Sequence, residues 1–317
     1  MAQSAESSPG APTARQRPAD RIFAGSSRGA GIIILVTLAA VSAFLLIEGF
    51  PALTTPPEEI SILEEQSFIV YVTPLVFGTL WAAALALLMA LPVSIGIALF
   101  ISHYAPRKIA MGLGYAVDLL AAVPSVVYGL WGGVILAPGI RPLYMWLEEN
   151  LGFIPLFAGP TSGTGRTILT AAIVLAVMVL PIITAVSREV FLQTPRLYEE
   201  AALALGATRW EMIRSVVLPV GRGGIISAAM LGLGRALGET LAVAMVLSAT
   251  GIITVNLISS TNPSTIAANV ALSFPEASGL NVNVLVASGL ILFAITLVVN
   301  SIARWVINLR KDFSGAN

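Results

Sequence analysis

Six long apolar stretches alternate with short polar ones along the chain, near 29–48, 74–101, 110–137, 168–187, 223–249 and 284–307. An α-helix needs about 20 apolar residues to cross a ~30 Å hydrocarbon layer, so each stretch is long enough to span a membrane. Pro92, Pro124 and Pro181 fall inside these runs. Bundled membrane helices tolerate proline where neighbours satisfy the freed backbone groups, so tilted or kinked spans are expected. The pattern therefore predicts an all-α, polytopic membrane protein of six transmembrane helices.

The polar interval between the fourth and fifth stretches has a pattern of its own. Glu200 to Leu205 favours helix, Gly206 is a suitable C-terminal stop, and Thr208 with Glu211 has the spacing of a capping box for a second short helix. A bent two-helix projection over about 197–216 follows, with Ala201, Ala202 and Gly206 on its exposed face. These small residues would let a partner surface approach, and Glu200 and Arg209 flank them for charge registration.

Composition narrows the class. Hydrophobic residues make up 56% and charged residues only 11%, against roughly a quarter charged in a soluble domain. There is no cysteine, which removes disulfides, thiolate metal sites and cysteine nucleophiles. Formal net charge is zero, so nothing points to nucleic acid. Basic residues precede the first stretch (Arg15, Arg17, Arg21, Arg28), join the second to the third (Arg107, Lys108), join the fourth to the fifth (Arg188 to Arg222) and end the chain (Arg304, Arg310, Lys311). Under the positive-inside rule these lie in the cytoplasm with both termini. The other side holds Glu48, Glu58, Glu59, Glu64, Glu65, Glu148, Glu149 and Glu276, with Arg141 and Arg166.

Residues 1–28 are rich in Ala, Ser, Pro and Arg without apolar period and are expected to be a disordered cytoplasmic tail. A cleaved signal peptide is the competing reading, but the apolar run is long enough to span. The first helix and an outer loop then occupy 29–73. A core of five helices, including the bent loop, occupies 74–308, and 309–317 is a cytoplasmic end.

Ionisable residues occur deep in two of the spans. If the fifth enters the hydrocarbon near Ile225, Arg235 lies about 15 Å in, and Glu239, four residues on, shares its face. Asp118 reaches a similar depth in the third. Charges at that depth are costly and usually face a bundle interior or a pathway. Mutual neutralisation of Arg235 and Glu239, or an Asp118–Arg235 pair locking two helices, is the structural alternative. As a functional site, Arg235 would meet an anion oxygen, and Glu239 would tune it or accept a substrate proton. One Arg against two carboxylates is net negative, so another subunit is expected to supply positive charge. Thr161, Ser162, Thr164, Arg166 and the Ser/Thr/Asn-rich stretch 254–283 are either outer docking loops or polar loops packed on the bundle. His103 reads as a lone surface residue. Gly234 and Gly238 have the spacing of a helix-packing pair.

The loop resembles the EAA loop of permeases in ATP-binding-cassette importers: Glu200-Ala201-Ala202, three residues, Gly206, nine residues, Val216, one residue, Leu218-Pro219. Phe77-Gly78-Thr79-Leu80, Ile101 to Pro106, Val123 to Gly132 and Arg235 to Val246 resemble phosphate permeases, the last string the PstC type rather than its PstA sister. The resemblance implies a type I importer permease bundle in which the loop is a coupling helix, with Glu200, Ala201, Ala202, Gly206 and Arg209 meeting a cytoplasmic ATPase. It also implies a heterodimer with a PstA-like permease, two PstB-like ATPases that bind ATP and Mg, and a PstS-like extracytoplasmic phosphate-binding protein. This chain itself would carry no cofactor. Arg235, Glu239, Asp118, Thr240 and Ser125 are the candidate substrate pathway, with phosphate and membrane lipid as the remaining partners.

Neither lysine, Lys108 or Lys311, follows a glycine, so no Walker A loop is present and energy must come from another polypeptide. Moving a dianion into a negative interior at ~150 mV costs about 7 kcal/mol, which argues against an unassisted pore. A permease for sulfate, molybdate or another solute, a non-transporting membrane sensor, and an ion-driven carrier are the rival readings.

Overall fold

The computed structural model describes residues 18–308, and side chains over 22–306. The described residues are predominantly helical, with two isolated β-bridges, Thr161 to Ser259 and Ala249 to Asn262, and no strand.

Residues up to Ile47 form one unit and the remainder another. The first unit is the greater part of α1 (Pro18–Gly49), whose apolar side chains are exposed around the helix. Helix begins at Pro18 rather than at the expected residue 29, and residues 1–17 of the expected tail lie outside the described part. The C-terminal segment 309–317 also lies outside it.

The second unit is built around α2 (Phe68–Tyr104) and α5 (Ile168–Leu192). Ala82, Ala83, Ala86 and Ala90 of α2 are all buried. Their three- and four-residue spacing puts methyl groups along one face and lets the two backbones approach. Polar pairs then bind the helices: Ser94 Oγ donates to the Leu180 carbonyl at 3.1 Å and Thr184 Oγ1 donates to the Ser94 carbonyl at 3.5 Å. α5 is the most enclosed of the long apolar helices, as a central element must be.

Six helices have the length and apolarity to cross a membrane, but two of them differ from the expected third and fifth spans. Where 110–137 was expected as one span, the chain forms the short amphipathic helix α3 (Arg107–Ala121), turns at Ala122 to Pro124, and crosses as α4 (Ser125–Leu151). Proline disfavours helical backbone in the residue before it, and the break falls at Val123-Pro124. Where 223–249 was expected, α7 (Arg209–Leu237) stops and a short helix, α8 (Leu241–Val246), follows. Between α5 and α7 lies α6 (Arg196–Ala204). After α9 (Ile266–Ser273), α10 (Leu280–Asn308) completes the bundle.

Segment 247–265, between α8 and α9, is non-helical, and its second half is packed into the protein. Asn256, Leu257, Ile258, Ser259, Asn262, Ser264 and Thr265 are buried. Its backbone groups find partners nearby. Leu257 N–H donates to the Leu156 carbonyl, and its own carbonyl accepts from Leu169 N–H. Ile266 N–H donates to Thr79 Oγ1 of α2 at 2.9 Å. Irregular backbone at membrane depth is tolerated only when buried or lining a cavity, and the second half of the segment, largely buried over 256–265, would meet that condition. Gly78 makes the approach possible, because a Cβ there would lie 2.2 Å from the Ser264 carbonyl oxygen.

The Glu-rich segment before α2 is pinned by Ile60 and Leu63, which pack with Phe68, Val72 and Val284. Asn281 Oδ1 accepts from Ile62 N–H at 3.1 Å.

Candidate transport pathway and coupling element

The polar loop between α5 and α7 folds as its local sequence dictates. α6 ends in a paired C-terminal motif: Gly206 N–H donates to the Leu203 carbonyl (3.0 Å) and Ala207 N–H to the Ala202 carbonyl (3.1 Å), with Gly206 at φ +89°. That left-handed conformation is what a glycine stop supplies. α7 then opens on the capping box. Thr208 Oγ1 accepts from Glu211 N–H at 3.3 Å, while a Glu211 carboxylate oxygen accepts from Thr208 N–H at 2.8 Å. The reciprocal bonds satisfy backbone donors at the helix start and fix the bend.

The bend sits on an apolar cluster of Ala98, Leu99, Phe191, Met212, Ile213 and Val217, so the ends of α2 and α5 and the start of α7 share one small core. Ala202 packs partly against this cluster, whereas the sequence reading placed it on the exposed face. Glu200, Ala201, Gly206 and Arg209 are exposed as expected. Leu197, Tyr198, Trp210 and Leu205, the last 90% exposed, surround them. These large apolar side chains on a polar loop were the unread signal.

His103 is not a lone surface residue. Its side chain is largely buried, with Nε2 3.5 Å from Glu199 Oε1 on α6 and Nδ1 2.7 Å from Ser102 Oγ.

The charges expected within the membrane are arranged differently from the expectation, and Asp118 lies on α3, which is not one of the six span-length helices. Asp118 is 53% exposed and faces Arg188 of α5 at 4.0 Å, not Arg235. Arg188 reaches it across Gly114, where a Cβ would lie 2.1 Å from a guanidinium nitrogen. Arg235 and Glu239 do not share a helical face, because the helix ends between them at Gly238. Glu239 is 8% exposed, and its Oε1 accepts from Ala242 N–H at 3.2 Å. It caps the start of α8, where a negative charge meets the positive end of the helix dipole. Thr240, half-buried, donates to the Gly238 carbonyl at 3.1 Å. Ser125 opens α4 directly after Pro124. Tyr128, on the first turn of α4, lies within electrostatic reach of Arg235 and donates to the Leu120 carbonyl at 3.0 Å. Gly129, next to it, packs directly on Ala242 of α8, where a Cβ would come within 2.8 Å of the backbone. The start of α4 and the capped start of α8 thus adjoin, which brings Ser125, Thr240 and Glu239 to one region.

Of the loop residues between α4 and α5, Ser162 is buried and Thr161 hydrogen-bonds to Glu148 through its backbone N–H at 3.2 Å. Thr164 lies 3.3 Å from Ser162. Arg166 borders a shallow groove with Gly129, Gly133 and Met245. The polar residues over 256–265 are mostly packed inward rather than displayed.

A helical bundle with a bent coupling loop at one end and a broken, charge-capped helix within is the architecture of an importer permease. Residues 90–310 match the family of binding-protein-dependent transport system inner membrane components. Among curated proteins, the chain is 42% identical over 298 residues to the phosphate transport system permease protein PstC 2 of Mycobacterium tuberculosis, covering 91% of each. It is 40% identical over 299 residues to the PstC of Mesorhizobium japonicum, covering 91% of this chain and 90% of that one. Two solved structures share the fold. One is a bacterial ABC transporter involved in the import of the acidic polysaccharide alginate (TM-score 0.56, 16% identity, 92% of this chain and 99% of that chain). The other is the inward-facing MetNI methionine ABC transporter (TM-score 0.51, 18% identity, 75% of this chain and 93% of that chain). The chain belongs to the binding-protein-dependent inner membrane components, and within them to the PstC permeases.

Proposed function

We propose that the chain is the permease subunit of an ATP-driven importer of inorganic phosphate. The observation that carries the reading is the coupling loop. A glycine stop, a capping box and an apolar anchor hold a short helix at a fixed angle to α7, and relatives with 40–42% identity are phosphate transport permeases by name. The exposed face around Glu200, Ala201, Gly206 and Arg209, with Leu205 and Trp210, docks a separate PstB-like ATPase that holds ATP and Mg. Two such ATPases, a PstA-like permease and a PstS-like binding protein complete the assembly. The loop end of the bundle and both termini lie in the cytoplasm.

Arg235 meets the anion through charge-assisted hydrogen bonds. Glu239, Thr240 and Ser125 border the same passage. Glu239 has one oxygen engaged as the α8 cap, which leaves the other to accept a hydrogen bond from the P–OH of monohydrogen phosphate; sulfate has no such hydroxyl. Asp118 holds α3 on α5 through Arg188, so its charge does not oppose the anion.

Uptake of labelled phosphate by cells lacking the native system, restored by this chain with its partner subunits, tests the reading. Competition by sulfate or molybdate would reassign the substrate. Uptake that survives ATP depletion while ion gradients are held would remove the ATPase coupling.

A further inference from the structure

α5, α7 and α10 enclose an open groove of about 540 Å³. Its polar lining is Arg235 and Ser227 from α7 and Arg304 and Asn300 from α10, and the rest is apolar. No carboxylate lines it, and neither guanidinium has an ion-pair or hydrogen-bond partner among the described residues. Ser227 and Arg235 are eight residues apart on α7, so the groove extends about 12 Å along the helix. Asn300 and Arg304, four apart, share a face of α10. Ser227 already donates to the Gly223 carbonyl at 3.0 Å, leaving the Asn300 amide as the neutral donor.

Two guanidiniums thus border one largely apolar groove with no carboxylate in its lining, Arg235 half-buried and Arg304 exposed. An anion with several oxygens can accept charge-assisted hydrogen bonds from such groups. We propose that this groove binds a phosphate group, with Arg235 and Arg304 as its two cations and Asn300 as a donor. The proposal rests on the reading that Arg235 faces a transported anion. It adds Arg304, which supplies from this chain the second positive charge that the sequence reading sought in another subunit. The phosphate group belongs either to free inorganic phosphate or to the headgroup of an anionic phospholipid.

The assembled transporter is reconstituted in nanodiscs of phosphatidylcholine alone or with phosphatidylglycerol, as wild type, Arg304→Gln and Arg304→Lys. Retention of labelled inorganic phosphate and of phosphatidylglycerol is measured on each. If the occupant is free phosphate, Arg304→Gln weakens phosphate retention in phosphatidylcholine discs about tenfold, the loss of one charge-assisted contact, and Arg304→Lys recovers part of it. If the occupant is a headgroup, Arg304→Gln instead lowers phosphatidylglycerol retention by a similar factor. Unchanged retention of both ligands in a correctly assembled Arg304→Gln transporter overturns the proposal. The outcome is separable from the functional reading, because phosphate uptake by wild type and its loss in Arg235→Lys would still stand.

Discussion

His103 and Glu199, distant in sequence, meet at 3.5 Å where the C-terminal end of α2 touches α6. The chain's single histidine thus links α6 to the end of α2, beside the covalent route from α6 into α7. A partly buried pair of this kind contributes up to about 1 kcal/mol. Replacing His103 with Gln should lower phosphate transported per ATP hydrolysed in proteoliposomes, by up to about fivefold on that energy. His103→Lys, which offers Glu199 an ammonium in place of the imidazole, should restore most of it. An unchanged transport ratio in His103→Gln would mean that the contact carries no coupling.

Gly206 offers a backbone test of the bend. No atom would obstruct a Cβ there, so the cost of Gly206→Ala arises from φ +89° alone. The left-handed conformation costs a side-chain-bearing residue about 1–2 kcal/mol. Gly206→Ala should reduce copurification of the ATPase subunit without altering the amount of chain in the membrane, and Gly206→Asn should be milder. Equal ATPase recovery from all three proteins would contradict this.

The two roles of Glu239 can be separated. Glu239→Gln keeps an oxygen for the Ala242 N–H and should leave thermal stability unchanged while reducing phosphate uptake, since its second polar atom is then an NH2 donor that cannot accept from the P–OH. Glu239→Ala should lose uptake and also about 1 kcal/mol of stability, as cap removal does. Full uptake by Glu239→Gln would make the residue a cap and nothing more.

Thr79 anchors the buried irregular segment. Its hydroxyl accepts from Ile266 N–H and donates to the Leu75 carbonyl at 2.7 Å. Thr79→Val conserves shape but leaves a buried N–H unpaired, at a cost of roughly 1–3 kcal/mol. The melting temperature of the purified complex should fall for Thr79→Val and hold for Thr79→Ser.

Much of this organisation was legible in the sequence wherever one local rule governs. Four apolar runs became helices near their expected positions, and Gly206, Thr208 and Glu211 played the backbone roles their residue types suggested. The two altered spans show the limit of counting apolar residues. Hydropathy sums composition over a window and is indifferent to a three-residue interruption, so the break at Gly238-Glu239-Thr240 was absorbed into one run. Gly followed by an acid in an apolar stretch was the available signal, as Pro124 was for the third span. Contacts between remote segments had no such signal. Neither the pairing of Asp118 with Arg188 nor that of His103 with Glu199 follows from any spacing, and the inward turn of Ala202 depends on the apolar cluster beneath it.

The helix that starts at the capping box runs 29 residues, through a π-helical turn at Ile213–Val217, and ends next to the buried carboxylate. At 1.5 Å per residue it is a pushrod about 43 Å long. A stroke applied at its base would be carried toward the far tip, and there the backbone is already parted, with Glu239 holding the loose end.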